Sequence, residues 1–440
     1  MSPTAQAILA SWSFPTYVTA LNLLTALLYL RGWSVLRATM PTRFTMGRLL
    51  SFLGGLAVLQ VALASPIDAL DPFFLTDHMM QHMLLMMFVP PLILLGNPEI
   101  PLMHGLPRWA SQKVLRPFLG ARPVRWIGQR LVHPAVCWLL MALAMLGWHI
   151  PVAYELALRS PGWHEVEHAC FLVASLLFWW PVIQPWPSRA HWPRSTMPIY
   201  LLLADFVNSV LSAFLAFSDR VLYPSYLRVP RLWGISAQSD QVAAGVSMWV
   251  VGSFAFLIPA VFIMVRLLSP SGPQPEPRPQ APLPDMRFKR PLLAALALVL
   301  PLGALAYGWF APDKTDIDEA VVRSQGTSGP FHITIFAPPD PVEPEDCDVS
   351  VLVQNSSSEE PILDTDVDVT LQPTNGGEPA VLRATHQQSA NKLLQSATAQ
   401  LSQSGSWQLS VAVRRGGEQA SLSTTIEVAA SAPSHPKSPS

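Results

Sequence analysis

The sequence predicts an all-α polytopic membrane bundle of seven helices plus an eighth, followed by a C-terminal all-β, immunoglobulin-like sandwich domain. Of the 440 residues, 50% are hydrophobic and 13% are charged, and the mean hydropathy is +0.32. The apolar residues are gathered into long uncharged runs, which are typical of membrane spans. Strand-like alternation is instead found in residues 329–429,. Together these patterns exclude an ordinary soluble enzyme.

Eight segments are long and apolar enough to cross a bilayer. We predict spans at residues 17–36, 49–66, 78–96, 133–150, 163–182, 197–217, 242–268 and 292–310. The first span has no Lys or Arg before it and no small-residue cleavage site after it. We therefore expect it to stay in the mature chain and not to act as a signal peptide.

Basic residues are distributed unequally between the two sides of this topology. The loops after spans one, three, five and seven hold four, six, two and five Lys or Arg, whereas the opposite side holds only Arg159, Arg220, Arg228 and Arg231. The positive-inside rule then places both the N-terminus and the C-terminal domain outside. This predicts a multi-pass protein of the bacterial inner membrane with both of these parts in the periplasm. No basic patch of the kind that binds nucleic acid is present.

The chain divides into five predicted parts. They are a seven-helix membrane domain at 1–268, a Pro-rich cytoplasmic linker at 269–290, the eighth helix at 291–310, the β-sandwich at 329–429 and a disordered tail at 430–440,. The sandwich has one cysteine, Cys347, and no methionine. Because it lacks paired-Cys or Met-rich metal sites, we expect it to have a docking or structural role.

Two pairs of histidines are the strongest functional signal. His78 with His82, and His164 with His168, are each spaced i,i+4 at the predicted outer ends of two spans. This spacing places both imidazoles of a pair on one helix face, where they can share a metal ion. Imidazoles near a bilayer are costly unless they have partners, so a metal site or a polar entrance is the default hypothesis.

Further polar and sulfur-containing residues are predicted at the same level. Met86 is one turn below His82, and Met248 is in a similar position relative to Asp240 and Gln241. Thioether and imidazole together favour copper, especially Cu(I), although methionines also serve as ordinary packing residues.

The residues alone are also compatible with two other classes of function. Residues 164–168 match the H-E-x-x-H pattern of zinc peptidases, in which Glu165 would be the general base,. This alternative is an intramembrane zinc metallopeptidase. A metal or solute transporter is the other alternative, but the sequence shows none of the internal repeats typical of that class.

Several segments resemble, in order, the CtaG family of cytochrome c oxidase assembly proteins over residues 49–268. The matching segments are residues 77–86 (DHMMQHMLLM) with Pro90-Pro91, Trp148-His149, His164 with Glu167-His168, residues 178–181 (FWWP), residues 222–224 (LYP), and Asp240-Gln241 with Met248-Trp249. The resemblance implies a membrane assembly factor, not an enzyme, for a haem-copper cytochrome c oxidase. Its partners would be the oxidase subunits, with a periplasmic copper chaperone as a further candidate.

On this resemblance the protein would aid copper delivery or insertion through a site at the outer membrane face. The implied metal ligands are His78, His82, His164 and His168, with His149, Met86, Asp240 and Met248 as further candidates; Asp77, Glu167 and Gln241 would orient them,. Copper is inferred from the ligand types and the family role, and zinc or haem are the alternatives.

Overall fold

The computed structural model describes residues 1–186, 192–269, 321–342, 346–401 and 403–429. The α-helices of these ranges are α1 Pro3–Ala10, α2 Thr16–Thr39, α3 Met46–Ala64, α4 Pro66–Leu70, α5 Leu75–Met83, α6 Val89–Leu95, α7 Glu99–Gly105, α8 Arg116–Gly120, α9 Arg122–Leu131, α10 Pro134–Trp148, α11 Pro151–Arg159, α12 Pro161–Ile183, α13 Met197–Phe217 and α14 Ala237–Leu268. The strands are β1 Val321–Ser328, β2 Phe331–Ala337, β3 Asp346–Asn355, β4 Asp366–Pro373, β5 Ala380–Ala384, β6 Gln395–Gln400, β7 Gly405–Arg415 and β8 Glu418–Val428.

Within these ranges, six helical segments are long and apolar enough to cross a membrane. They are Thr16–Thr39, Met46–Leu70, Leu75–Leu95, Pro161–Ile183, Arg194–Phe217 and Ala237–Leu268. A seventh is formed if α9 and α10, which meet at 75°, are counted as one span. The protein is therefore a multi-pass membrane protein. The predicted eighth span, the tail and all of the linker except Ser269 lie outside the described residues.

The predicted fourth span is shorter than expected and is preceded by a sharp bend. His133 has an extended backbone, and Pro134 begins α10. A proline disfavours helical geometry in the residue before it and supplies no N–H, so α9 ends before this point. The His133 side chain instead accepts a hydrogen bond from the Ala135 N–H at 3.2 Å and caps α10,.

The C-terminal β region consists of two four-stranded antiparallel sheets, as the alternation of its sequence predicts. Their strand orders are β1-β2-β3-β6 and β5-β4-β7-β8. Val351 of one sheet and Val369 and Trp407 of the other lie in a single hydrophobic core. The two sheets therefore pack against each other, because each has only one apolar face to bury.

The β region contacts the end of the helical bundle that carries the histidine pairs. Asn391 Nδ2 donates a hydrogen bond to the Ala69 carbonyl at 2.7 Å, and Gln354 Nε2 donates to the Arg231 carbonyl at 2.7 Å. An apolar cluster also joins the two regions. It contains Phe73, Phe74 and Leu232 of the helical region and Phe336, Leu352, Leu393 and Leu394 of the β region.

Replacing Phe73 by alanine should release this contact without disturbing either sheet, because Phe73 belongs to the helical region. Its ring is 2% exposed and packs edge-on against Phe336, with centroids 6.1 Å apart. Removal of a buried phenylalanine costs about 3–5 kcal/mol. Hydrogen exchange of the backbone at 387–394 should become faster. Val381→Ala, at a β5 position that is 64% exposed, is the control; equal exchange in the two variants would contradict the docking.

Candidate metal centre

Two helices place the four histidines next to one another. His78 and His82 are on α5, and His164 and His168 are on α12. Ring centroids are 5.1 Å apart for His78 and His164, and 5.4 Å apart for His82 and His168. The two pairs therefore lie together, as their predicted positions at one end of the bundle suggest.

The start of α5 is fixed by a residue from another helix. Phe74 is the N-cap residue, and its hydrocarbon side chain cannot accept a hydrogen bond from the helix amides. The Asp240 carboxylate of α14 accepts bonds from the Leu75 N–H at 2.7 Å and the Thr76 N–H at 3.1 Å instead. It thereby satisfies amides that a helix leaves unpaired at its N-terminus, and its charge suits the helix dipole. Both oxygens of Asp240, a predicted ligand, are engaged in these bonds.

A local irregularity fixes the other end of α5. The helix widens into a π-turn at Leu84–Phe88, which ends two residues before Pro90. Pro90 has no N–H, so the Met86 carbonyl lacks its normal partner four residues ahead. Trp179 Nε1 of α12 donates to this carbonyl at 3.0 Å. The bond ties α12 to the third span one turn below His82 and so holds the two histidine faces in register.

Glu167 completes the cluster. Ligand atoms of His78, His82, His164 and Glu167 all lie within 4.8 Å of one another. Glu167 Oε2 is 3.9 Å from His78 Nε2, and Glu167 Oε1 is 3.8 Å from His82 Nε2. His78 and Glu167 are fully buried, and His82 is 2% exposed. The side chain of His164 is 17% exposed, which makes His164 the most exposed residue of the cluster.

The polar atoms of this cluster lack hydrogen bonds. The atoms without a hydrogen-bond partner among the described residues are both ring nitrogens of His78 and of His82, Nε2 of His164 and of His168, and both carboxylate oxygens of Glu167. Each buried polar atom left unsatisfied costs about 1–3 kcal/mol, so eight at one place are not a normal packing arrangement. A bound cation would be coordinated by one nitrogen of each imidazole and by the carboxylate, and would thereby satisfy several of these atoms at once.

The donor set fits a transition-metal ion. Three imidazoles and a carboxylate suit Zn²⁺ or Cu²⁺ and do not suit Mg²⁺ or Ca²⁺, which prefer oxygen. Ligands about 2.0 Å from one tetrahedral ion are about 3.3 Å apart. The observed separations of 3.8 and 3.9 Å between Glu167 and the two imidazoles therefore need only small movements.

Asp71 is a member of this site that the sequence analysis did not find. Its Oδ2 lies 3.7 Å from His78 Nδ1 and 3.9 Å from His164 Nε2. Asp71 is in the turn between α4 and α5, so it shares no helical periodicity with the histidine pairs. Asp77 was predicted to orient the ligands. It directly precedes His78 in α5, so its side chain projects from a different face of the helix,.

Three buried tyrosines support the site from the side. The Tyr154 ring lies 5.1 Å from the His78 ring and 3.9 Å from the Tyr223 ring. The hydroxyls of Tyr154 and Tyr226 are 3.1 Å apart, and the Tyr226 hydroxyl donates to the Asp71 carbonyl at 3.3 Å. Burial raises the pKa of Tyr154 and of Tyr226 well above that of a free phenol. Both therefore remain neutral hydrogen-bond donors.

The remaining predicted residues lie outside the cluster of ligand atoms. Gln241 accepts a hydrogen bond from the Leu222 N–H at 2.7 Å and donates to the Arg220 carbonyl at 3.0 Å, which holds the loop before α14. His149, Met86 and Met248 line a cavity below the histidine pairs, together with His82.

Glu165 is the residue that the peptidase alternative requires as a base. It accepts a hydrogen bond from the Tyr17 hydroxyl of α2. Glu167, and not Glu165, is the carboxylate among the clustered ligand atoms.

Replacing Glu167 by glutamine should weaken metal binding by about 10- to 100-fold, because the site loses its buried negative charge while its shape is kept. A competition titration with a chromophoric chelator on the purified protein measures this change. Glu165→Gln is the matched control and should bind as tightly as the wild type. Equal affinities for all three proteins would show that Glu167 does not serve the metal.

Comparison with known proteins agrees with the resemblance seen in the sequence. Residues 27–269 match the family described as cytochrome c oxidase caa3 assembly factor (Caa3_CtaG). Uncharacterized protein Mb0105 of Mycobacterium bovis is 26% identical over 275 residues, which cover 61% of this chain and 40% of that protein. An uncharacterized protein of Mycobacterium leprae is 22% identical over 262 residues, which cover 59% and 39%. The chain thus spans about 40% of the length of the curated relatives it matches. No solved structure matches it.

The family match includes the six candidate spans except the start of the first, and all residues of the buried histidine and glutamate cluster. It ends before the β region, which is unassigned. Because the match covers more than half of the chain, this protein belongs to the Caa3_CtaG family of cytochrome c oxidase caa3 assembly factors.

Proposed function

We propose that this protein aids the delivery or insertion of copper into a cytochrome c oxidase, and that the cluster of His78, His82, His164 and Glu167 holds the metal in transit. The observation that carries the proposal is the set of buried ligand atoms without hydrogen bonds, in a chain of an oxidase assembly family. The family implies the oxidase as the partner and a non-catalytic role. Copper is favoured because imidazoles in the cluster and thioethers beneath it are both copper ligands,.

The proposed orientation places the cluster and the β region on the periplasmic side. It is supported by the excess of basic residues in the loops at the opposite end of the bundle,. We further propose that the two sheets form an immunoglobulin-like sandwich that acts as a docking module. Support comes from its contacts with α4 and with the turn that follows it, where Asp71 lies 3.9 Å from His164. A partner bound to the β region would then be close to His164, the most exposed residue of the cluster. A periplasmic copper chaperone is the candidate donor.

The peptidase alternative has less support. A zinc peptidase needs a base beside the metal-bound water. Glu165, the residue with the right spacing, contacts Tyr17, whereas Glu167 lies between the imidazoles as a ligand would.

Deletion of the gene tests the proposal. Oxidase purified from the deletion strain should have less copper per haem than oxidase from the parent strain, and a plasmid copy of the wild-type gene should restore it. Growth in added copper should restore part of the loss, because the free ion then replaces the delivered one. Oxidase with normal copper content in the deletion strain would overturn the proposal.

A further inference from the structure

A second group of metal-binding side chains lies beneath the histidine and glutamate cluster. A small cavity there is lined by six methionines, two histidines and one asparagine. The methionines are Met79, Met83, Met86, Met87, Met145 and Met248. They come from the third span, α10 and α14, so residues distant in the sequence converge on one space. The volume is about 20 Å³, which suits a single water-sized species,.

The methionines could line this space simply as packing residues, but packing does not explain why a histidine, His149, is buried beside them. His149 is 7% exposed and follows the last residue of α10. Its Nδ1 lies 2.6 Å from the Met145 carbonyl. A carbonyl can only accept, so Nδ1 carries the proton of the neutral ring. Nε2 therefore has a free lone pair.

The free nitrogen of His149 is buried and has no hydrogen-bond partner among the described residues. The ring that carries it lines the methionine cavity. The bond from Nδ1 to a backbone carbonyl is the arrangement that normally orients a metal-binding histidine. An apolar cavity gives such a nitrogen nothing to bind, whereas a cation in the cavity would.

Asn208 fixes the position of one of the residues that line the cavity. Its Nδ2 donates to the Met248 carbonyl at 3.2 Å, which fixes the backbone of that residue. The space beside Asn208 is provided by Gly252, where an added Cβ would lie 2.4 Å from the Asn208 Nδ2. The packing of α13 on α14 thus holds Met248 at the cavity wall.

We infer that this cavity is a second metal site, selective for Cu(I), in which His149 Nε2 and methionine thioethers bind the ion. Thioethers are soft ligands that prefer Cu(I) to Zn²⁺ or to hard cations. His82 belongs both to this cavity and to the cluster above it. The inference deepens the proposed function, on which it rests for the supply of copper: an ion that enters at His164 already as Cu(I) passes His82 and comes to rest among thioethers, with no change of oxidation state.

The test uses Ag(I), a soft monovalent probe, and Zn(II) on the purified full-length protein in detergent. After desalting, metal content is measured by mass spectrometry for the wild type, a Met86→Leu/Met145→Leu/Met248→Leu variant and His149→Phe. Leucine is close to methionine in volume, so the triple variant should fold. Thermal melting of each variant confirms that the bundle is intact.

We expect the Ag(I) retained after desalting to fall at least about tenfold in both variants, while Zn(II) stays bound at the cluster. Unchanged Ag(I) binding by the triple variant would overturn the second site and leave the methionines as packing residues. Oxidase copper content distinguishes this failure from failure of the proposed function. Loss of Ag(I) binding together with normal copper in the oxidase of a deletion strain would support the site and contradict the delivery role.

Discussion

Membranes that carry the His78→Ala/His82→Ala variant should contain no more mature cytochrome c oxidase than membranes without this protein. Both imidazoles are buried and face Glu167, so their loss removes two of the clustered ligands. Reduced-minus-oxidised absorption spectra of the membranes quantify the haem of the assembled oxidase. The variant protein itself should be present in normal amounts, as shown by immunoblotting.

His104→Ala is the matched control for this experiment. His104 is an exposed histidine of α7, and its Nδ1 lies 2.9 Å from the Ile100 carbonyl of its own helix. It is not among the clustered ligand atoms. The control should support wild-type oxidase levels. Equal oxidase levels in the double variant and in this control would show that assembly does not need the cluster.

The second large effect is expected where α2 and α7 approach at two glycines. A Cβ added at Gly32 would lie 1.8 Å from the Pro101 carbonyl oxygen, and one added at Gly105 would lie 1.9 Å from the Leu28 carbonyl oxygen. Backbone atoms cannot move aside as a flexible side chain can. Gly32→Ala should therefore force the helices apart, at a cost of about 1–3 kcal/mol or more. Thermal unfolding in detergent should show a lower melting temperature and a lower yield of monodisperse protein.

Gly54→Ala and Gly147→Ala are the controls for this prediction. Both glycines lie in helices, and an added Cβ at either would meet nothing within 4 Å. Alanine is a better helix former than glycine, so these variants should be as stable as the wild type or slightly more stable. A melting temperature for Gly32→Ala equal to that of the controls would contradict the close approach of the two helices.

Six of the eight predicted spans, the β region and the meeting of the histidine pairs could be predicted from the sequence, because each depends on a local period. An i,i+4 pair fixes a helix face, and a long apolar run fixes a span. The bend at His133-Pro134 was also visible in principle, because a proline restricts the residue before it,. Alternation alone does not determine the order of the strands in the two sheets, since that order depends on long-range pairing. The immunoglobulin-like fold stays a prediction.

The finer parts of the site depend on contacts between residues that are far apart in the sequence and follow no helical or strand periodicity. Asp71 reaches His78 from a turn, and Asp240 bonds to the start of α5 from 165 residues away in sequence. Glu167 was expected to orient the ligands, yet it lies among the clustered ligand atoms. Glu167 is three residues after His164, and this spacing places both side chains on the same face of α12,. The helical periodicity alone therefore predicts Glu167 beside the imidazoles.

Metal content of the purified full-length protein tests the central claim most directly. Wild-type protein and the His78→Ala/Glu167→Gln variant are loaded separately with Cu(II) and Zn(II), desalted and analysed by mass spectrometry. The wild type should retain about one equivalent of either ion, because three imidazoles and one carboxylate form a single site,. The variant should retain almost none. A wild type without metal, or a variant that binds as much as the wild type, would contradict the assignment of this cluster as a metal centre.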